Sequence, residues 1–516
     1  MGVILVKLRN SKATDVREKL TLVEYAAFSI DRVGQNLKSA LTSTVGGLFV
    51  STYLGLSKEA FLTYSTIVLV LSFWDIFNDV LVGNIIDRRR KSDKRWGRFK
   101  PILLWLLIPM AFLSIAGAVP LKDFFPQMGD TFKVVYLVIL YLVNDMVSTF
   151  YNAALTALNA RQTADNTERG YLSGIGGIIG SVIGGSGTYV LAIVAAVIPS
   201  INEAERYFYG MLFFSIIAVP ATLFNIAVTK ERIVEPEKIE VPPLRSVYSQ
   251  VLKNKPLVLI TISDVLGAGM SIGYGFLIYV FRACFSDVTL QISVFGFNIG
   301  DKLQGFEAIM AACSAATIVP TFASLLLAPI VRKWIADKPL YILMKFWTFF
   351  CYTGMFITTF PITNFTPTQL FWRITFWYAL HGLTTGFYSV IPNMLQLTAY
   401  DYGEYKFGQR NEATVSAVKS TLSKIVGSLG NYASTWCLAL IGYVETGAQV
   451  ANITTDTKQW LVTLFAVFPA VSSLLAIVPM LFYKLGGKEQ KKMVEELNIR
   501  RQETLDDMNK EEVEVK

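Results

Sequence analysis

The run Phe73-Trp74-Asp75-Ile76-Phe77-Asn78-Asp79 puts two aspartates inside an otherwise apolar stretch from Phe61 to Ile86. A carboxylate held in hydrocarbon costs roughly 2.5–3.5 kcal/mol even on lenient insertion scales, so an intramembrane ionisable residue reads as functional by default. Asp75 and Asp79 are spaced i, i+4 and lie on one helical face, a turn apart. Like charges that close stay ionised together only when a cation or a proton is shared between them. The pair therefore reads as a site for a coupling ion, and the chain as a transporter.

The rest of the chain agrees with a membrane setting. Hydrophobic residues make up 53% of the 516 and charged ones 17%, and the mean hydropathy is +0.45. About 20 apolar residues span a bilayer as a helix. Stretches of that length recur at 24–53, 60–86, 101–119, 133–160, 171–198, 208–229, 256–281, 304–331, 340–360, 368–398, 411–443 and 459–483, which we number as segments 1 to 12. The expected fold is an all-α membrane protein with twelve transmembrane helices.

Basic residues set the orientation. The connection after segment 2 contains Arg88-Arg89-Arg90-Lys91 and Lys94-Arg95-Trp96-Gly97-Arg98-Phe99-Lys100, and the positive-inside rule places it in the cytoplasm. Arg161 and Arg169, Lys230 and Arg232, Arg332 and Lys333, and Lys406 and Arg410 follow segments 4, 6, 8 and 10, whereas Pro120–Thr131 and Pro361–Thr368 are poorly charged. Both termini are then expected in the cytoplasm. The formal net charge of +8 lies where orientation and anionic lipid require it, so no nucleic-acid partner is implied. No cleavable signal precedes segment 1, which is expected to direct insertion itself.

Between Thr229 and Lys255 the chain is polar and carries Pro236, Pro242 and Pro243. This divides the protein into a cytoplasmic segment 1–23, a six-helix bundle 24–229, a linker 230–255, a second six-helix bundle 256–484 and a charged tail 485–516. Two six-helix halves facing a central cavity are a transporter layout. The loop Phe285–Gly305 is long enough for a lid-like segment or an ordered surface loop. Cys284, Cys313, Cys351 and Cys437 lack metal or redox spacing. The one histidine, His381, is expected to be a packed, hydrogen-bonded residue.

Segment 4 repeats the polar pattern: Asp145, Thr149 and Asn152 share a helical face. If segments 2 and 4 face each other, Asp75, Asn78, Asp79 and Thr149 offer oxygen ligands, which hard cations prefer; the competing reading is hydrogen-bonded packing between helices. Lys424, deep in segment 11, needs a carboxylate neighbour from another helix, and Asp75 or Asp79 is the candidate. Lys38 and Lys419 are also deep.

The motif Trp74-Asp75-Ile76-Phe77-Asn78-Asp79, continuing to Gly83, Asp87-Arg88 and Arg95-Trp96-Gly97-Arg98-Phe99-Lys100-Pro101, resembles that of the glycoside–pentoside–hexuronide:cation symporters of the major facilitator superfamily. Asp165-Asn166-Thr167-Glu168-Arg169 and Asp401-Tyr402-Gly403-Glu404-Tyr405-Lys406, followed by Arg410 and Lys424, are similar to further motifs of the family. The resemblance covers both halves. It implies a major-facilitator fold and cation-coupled sugar uptake by alternating access, a cation site at Asp75, Asn78, Asp79 and Thr149, and Lys424 as the coupling lysine.

The sugar side departs from the family pattern. Positions where galactoside-carrying members have aspartate align with Asn36 and Asn152, a stacking tryptophan aligns with Thr156, and a sugar-contacting arginine falls near Gly177. Lys38 and Asp145 are additions, either pairing with each other or, for Lys38 with Lys419 or Arg32, receiving an acidic sugar group. Trp372, Trp377, Tyr378, Phe387 and Tyr388 are candidates for stacking on sugar rings, against a packing role.

The sequence thus predicts a cation-coupled symporter for a glycoside or oligosaccharide, an anionic sugar included. Sodium is the expected coupling ion, with protons or lithium as alternatives, and no other cofactor is required. The expected substrate residues are Asn36, Lys38, Asp145, Asn152, Lys419 and Trp377. Asp87, Arg88, Arg169, Asp401, Glu404 and Arg410 are expected to close a cytoplasmic gate. The partners are a small sugar and the lipid bilayer; a monomer in a bacterial inner membrane is the expected setting. A sodium-coupled lysolipid carrier is the alternative within transport. An enzyme or scaffold is the alternative outside it, and it lacks any Ser/His/Asp set, metal cluster or nucleotide loop.

Overall fold

Thr21 and Glu24 start the first helix through a capping box: Glu24 N–H donates to Thr21 Oγ1 and Thr21 N–H to Glu24 Oε2. The structure, a computed structural model, describes residues 19–88, 97, 99–160, 162–163, 168, 171–172, 175–176, 179–180, 183, 187–197, 200–232, 253–291, 293–294, 297–298, 302–407, 412–446, 452–485, 490, 492–493, 495–497 and 499. Within these, the side chains of 76–77, 79–81, 83–84, 86–88, 156–157, 160, 293–294, 297–298, 407, 412–421 and 445–446 are outside the description. Residues 1–18, most of the 230–255 linker and the tail after 499 lie outside the described residues.

The helices are α1 (Leu22–Leu48), α2 (Lys58–Arg88), α3 (Lys100–Ala116), α4 (Asp130–Ala160), α5 (Gly187–Val197), α6 (Glu203–Val228), α7 (Lys255–Leu266), α8 (Gly269–Phe285), α9 (Phe306–Ala315), α10 (Ile318–Val331), α11 (Asp337–Thr359), α12 (Pro367–Phe407), α13 (Glu412–Leu440) and α14 (Thr455–Leu481). Every apolar segment read from the sequence contains a helix. Segment 7 is broken at Gly267–Ala268, where the N–H of Gly267 turns back to Ser263 O, and segment 8 is broken at Ala316–Thr317. Segment 10 runs on as one helix to Phe407, so Asp401, Glu404 and Lys406 are helical rather than in a loop. In the loop after α8, β1 (Thr289–Leu290) pairs antiparallel with β4 (Leu303–Gln304) around an inner pair, β2 (Ser293–Val294) and β3 (Phe297–Asn298).

Six stretches among the described residues are long and apolar enough to cross a membrane: Asp130–Leu155, Glu203–Val228, Lys255–Phe285, Phe306–Val331, Asp337–Thr359 and Thr455–Leu481. Most of the expected site residues lie on the other long helices, α1, α2, α12 and α13. Large apolar side chains face outward along the helices, among them Trp105 at 82% and Leu326 at 72% exposure. Exposed apolar surface of this extent marks a lipid-embedded protein.

The chain forms two compact units. The first contains Met1–Lys238, Gly275–Ser314 and Asn431–Leu461. In it α1 packs on α6 and α5, and α4 on α2 and α3, around a core of Val82, Phe99, Leu103, Tyr151, Leu155 and Ile226. A polar layer runs between α1 and α6, where buried Asp31 accepts from Thr222 Oγ1 at 2.5 Å and Asn225 Nδ2 at 2.8 Å. The second unit contains Ile239–Tyr274, Ala315–Gly430 and Val462–Lys516. There α12 packs on α10, α11 and α7, over Leu257, Ile260, Met344, Ile391, Leu395 and Met480.

Candidate functional site

On α2, Asp75 is 7% and Asn78 3% exposed. Both face α4. Tyr141 donates its hydroxyl to Asp75 Oδ2 at 2.9 Å, and Asn78 Nδ2 donates to Asp145 Oδ2 at 2.8 Å. Tyr141 and Asp145 are one turn apart on α4, so the two contacts form successive rungs between the helices. Thr149, half-buried, comes one turn further along the same face. The Asp79 side chain is outside the description, while its backbone continues α2.

This arrangement sets two carboxylates, an amide and a hydroxyl in an apolar helix pair. The Asn78 amide donates through nitrogen, which leaves its carbonyl oxygen as an acceptor. Oxygen donors of this type suit a hard cation. Tyr141 was missed in the sequence, although the Asp145, Thr149, Asn152 row extended one turn backward reaches it. Tyrosine is common in membrane helices, and the residue type alone gave no signal.

Asp145 therefore joins the face that carries Asp75 and Asn78, and among the described residues no ion pair links it to Lys38. Lys38, half-buried on α1, instead borders a cavity of about 10 Å³ with Gln35, Tyr151 and Ser215. Asn36 Nδ2 donates back to Arg32 O at 2.7 Å, holding its side chain against its own helix. Asn152 is exposed. Trp377 donates its indole N–H to Thr358 Oγ1 at 2.9 Å and lies over Gly354, where α11 and α12 pack.

Lys424 is half-buried on α13 in the second unit, and Asp401 and Glu404 are half-buried on α12. Arg169 and Arg410 lie outside the described residues, as do the side chains of Asp87, Arg88, Thr156 and Lys419. Gly177 also lies outside them. Gly97 in the basic motif is described and has φ of +72°. A Cβ there would come 2.5 Å from Glu231 Oε1, the same oxygen that accepts the Phe99 N–H at 3.0 Å. The glycine lets the motif turn tightly against Glu231 at the start of α3.

Two buried charges, Arg232 and Lys345, were not among the expected site residues. Arg232, 1% exposed, is bound bidentately by Glu24 at 2.8 and 2.9 Å and also donates to Gln162 O. In the second unit Lys345 on α11 is 8% exposed, with its ammonium 4.8 Å from the Tyr388 ring centre and 5.4 Å from that of Tyr341. His381 is buried beside Tyr352 and shares a 3.4 Å contact with the Tyr274 hydroxyl, as expected for a packed histidine. Lys345 stands alone among the apolar residues of segment 9, and the signal that identified Asp75 would have identified it too.

Comparison with known proteins agrees with this architecture. Residues 27–487 match the family model for MFS/sugar transport proteins. The chain is 24% identical over 485 residues to the isoprimeverose transporter of Lactiplantibacillus pentosus, covering 92% of this chain and 90% of that one. It is equally 24% identical over 493 residues to a putative sulfoquinovose importer of Escherichia coli strain K12, covering 94% and 95%. The inward-open xylose transporter XylE from E. coli superposes with a TM-score of 0.53 over 90% of this chain and 96% of XylE, at 14% identity, which shows the fold. None of these matches is to an enzyme. The chain belongs to the MFS/sugar transport protein family: it is an integral membrane sugar transporter of the major facilitator superfamily, of the glycoside–pentoside–hexuronide symporter kind that its motifs resemble.

Proposed function

We propose that the protein is a sodium-coupled symporter for a glycoside or oligosaccharide. The ion is held by Asp75, Asn78, Asp79 and Thr149, and Lys424 links the ion to the sugar. The observation that carries this reading is the pair of rungs between α2 and α4, Tyr141 to Asp75 and Asn78 to Asp145. Carboxylates kept inside an apolar helix pair are costly unless an ion uses them. In this reading all twelve segments cross a bacterial plasma membrane, both termini are cytoplasmic and the carrier works as a monomer. Asp87, Arg88, Arg169, Asp401, Glu404 and Arg410 close the cytoplasmic side.

An acidic sugar is the favoured substrate class. Among the described residues no carboxylate is paired with Lys38, and one relative is named for a sulfonated sugar. Sodium and sugar are bound reciprocally, each raising the other's affinity by the same factor. Asp79→Asn is expected to abolish the sodium-dependent rise in melting temperature of the purified protein and to leave its sodium-free melting temperature within a few degrees. An undiminished sodium response in that variant rules the site out.

A further inference from the structure

Within the first unit, the start of α6 is tied to the end of α8 and the start of α9 by two ion pairs. Arg282, 4% exposed at the last turn of α8, donates Nε to Glu203 Oε2 at 2.9 Å. Arg206, one turn along α6 from Glu203, donates Nη1 to Glu307 Oε1 at 3.0 Å, and Glu307 is 5% exposed in the first turn of α9. Beneath them Ser51, in the π-helical turn that ends α1, shares a 3.1 Å hydrogen bond with the Tyr279 hydroxyl of α8. The Arg282 guanidinium also lies 5.8 Å from the Tyr53 ring centre.

These contacts join residues before the central linker, on α1 and α6, to residues after it, on α8 and α9. A carrier that exposes its site alternately to two sides must break every contact that joins its two halves at the closed end. Charge pairs suit that duty better than apolar packing. Their two members can each be taken up by water when they separate, whereas opened apolar surface has no such compensation. The two pairs also have crossed polarity: α6 supplies the acid of one and the base of the other. A register slip between α6 and its partners would set like charges together, so the closed position is unique.

We propose that Glu203–Arg282 and Arg206–Glu307 are the latch of the outer gate, closed in this structure and broken each time the carrier opens outward. The assignment of the outer side rests on the topology proposed above. The latch itself rests on the contacts alone.

The test is the reaction of Ser51→Cys, in a background lacking the four native cysteines, with a membrane-impermeant thiol reagent. In the otherwise intact protein the thiol is protected. Arg282→Gln or Glu307→Gln is expected to raise the labelling rate by about tenfold, the shift of a two-state equilibrium that loses one state-specific contact. The charge-exchanged pair Glu203→Arg with Arg282→Glu is expected to return it to the slow rate. Unchanged labelling in the single variants, or labelling in the exchanged pair as fast as in Arg282→Gln, overturns the latch. If Arg282→Gln does not fold, Glu307→Gln and the exchange Arg206→Glu with Glu307→Arg give the same readout on the other pair. Labelling seen only after cells are permeabilised leaves the latch standing and reverses the topology.

Discussion

Asp75 stands out in the sequence as a charge without an apparent partner, and the fold supplies one in the Tyr141 hydroxyl. A neutral donor lowers the cost of a buried carboxylate without cancelling its charge, which leaves the oxygen able to serve the proposed ion site. Tyr141→Phe removes one hydrogen bond to a charged acceptor, a contribution of about 1.5–3 kcal/mol. The loss is expected as a lower melting temperature without sodium, and the sodium concentration that half-saturates the melting-temperature rise should shift, because the Asp75 oxygen is no longer shared with the hydroxyl. An unchanged half-saturation would remove Tyr141 from the ion site. The aspartates and Asn78 were legible because charge and amide are rare in an apolar run. Asp145 was expected as a substrate residue, and its hydrogen bond from Asn78 was not legible. Helix spacing gives the face a residue lies on and says nothing about which neighbouring helix that face meets.

At the scale of elements, apolar length located the helices and the chain's breakers shaped their ends. Gly267 ends α7 and divides segment 7, whereas Pro392 lies inside α12 without ending it, and α12 runs on to Phe407. Helix continuation past Asp401 was not legible, because charge density there suggested a loop, yet α12 remains one helix to Phe407. Gly97 is the element-level requirement of the basic motif: its positive φ strains any other residue, and a Cβ would push aside the Glu231 carboxylate that accepts the Phe99 N–H. Gly97→Ala should cost about 1–3 kcal/mol, combining left-handed backbone strain with crowding. The measurement is the thermal unfolding midpoint of the purified protein. A midpoint equal to that of the parent would show that the turn can relax.

For the whole molecule the property to test is the proposed coupling between ion and sugar. If the proposed symport holds, sodium should tighten sugar binding, and sugar should tighten sodium binding by the same factor. A pair of probes separates substrate class from coupling: a phenyl glucuronide and the matching neutral phenyl glucoside. The glucuronide is expected to stabilise the protein in sodium by up to about 2.7 kcal/mol at a hundred times its Kd, and the glucoside less. Equal stabilisation by the two probes would rule out recognition of the acidic group. Stabilisation independent of sodium would rule out coupling.

By itself the sequence determined the membrane setting, the family and the apolar stretches that hold the helices, and it singled out Asp75, Asn78 and Asp145 as polar residues in those stretches. Those depend on local composition, helical period and motif spacing, which a single chain displays directly. Only the tertiary structure decided that Tyr141 donates to Asp75, that Asn78 donates to Asp145, that Trp377 donates to Thr358, and that Glu203 and Arg206 meet Arg282 and Glu307. These are contacts between residues far apart in the chain. Their energies depend on which helix faces are brought together, and no local pattern encodes that choice.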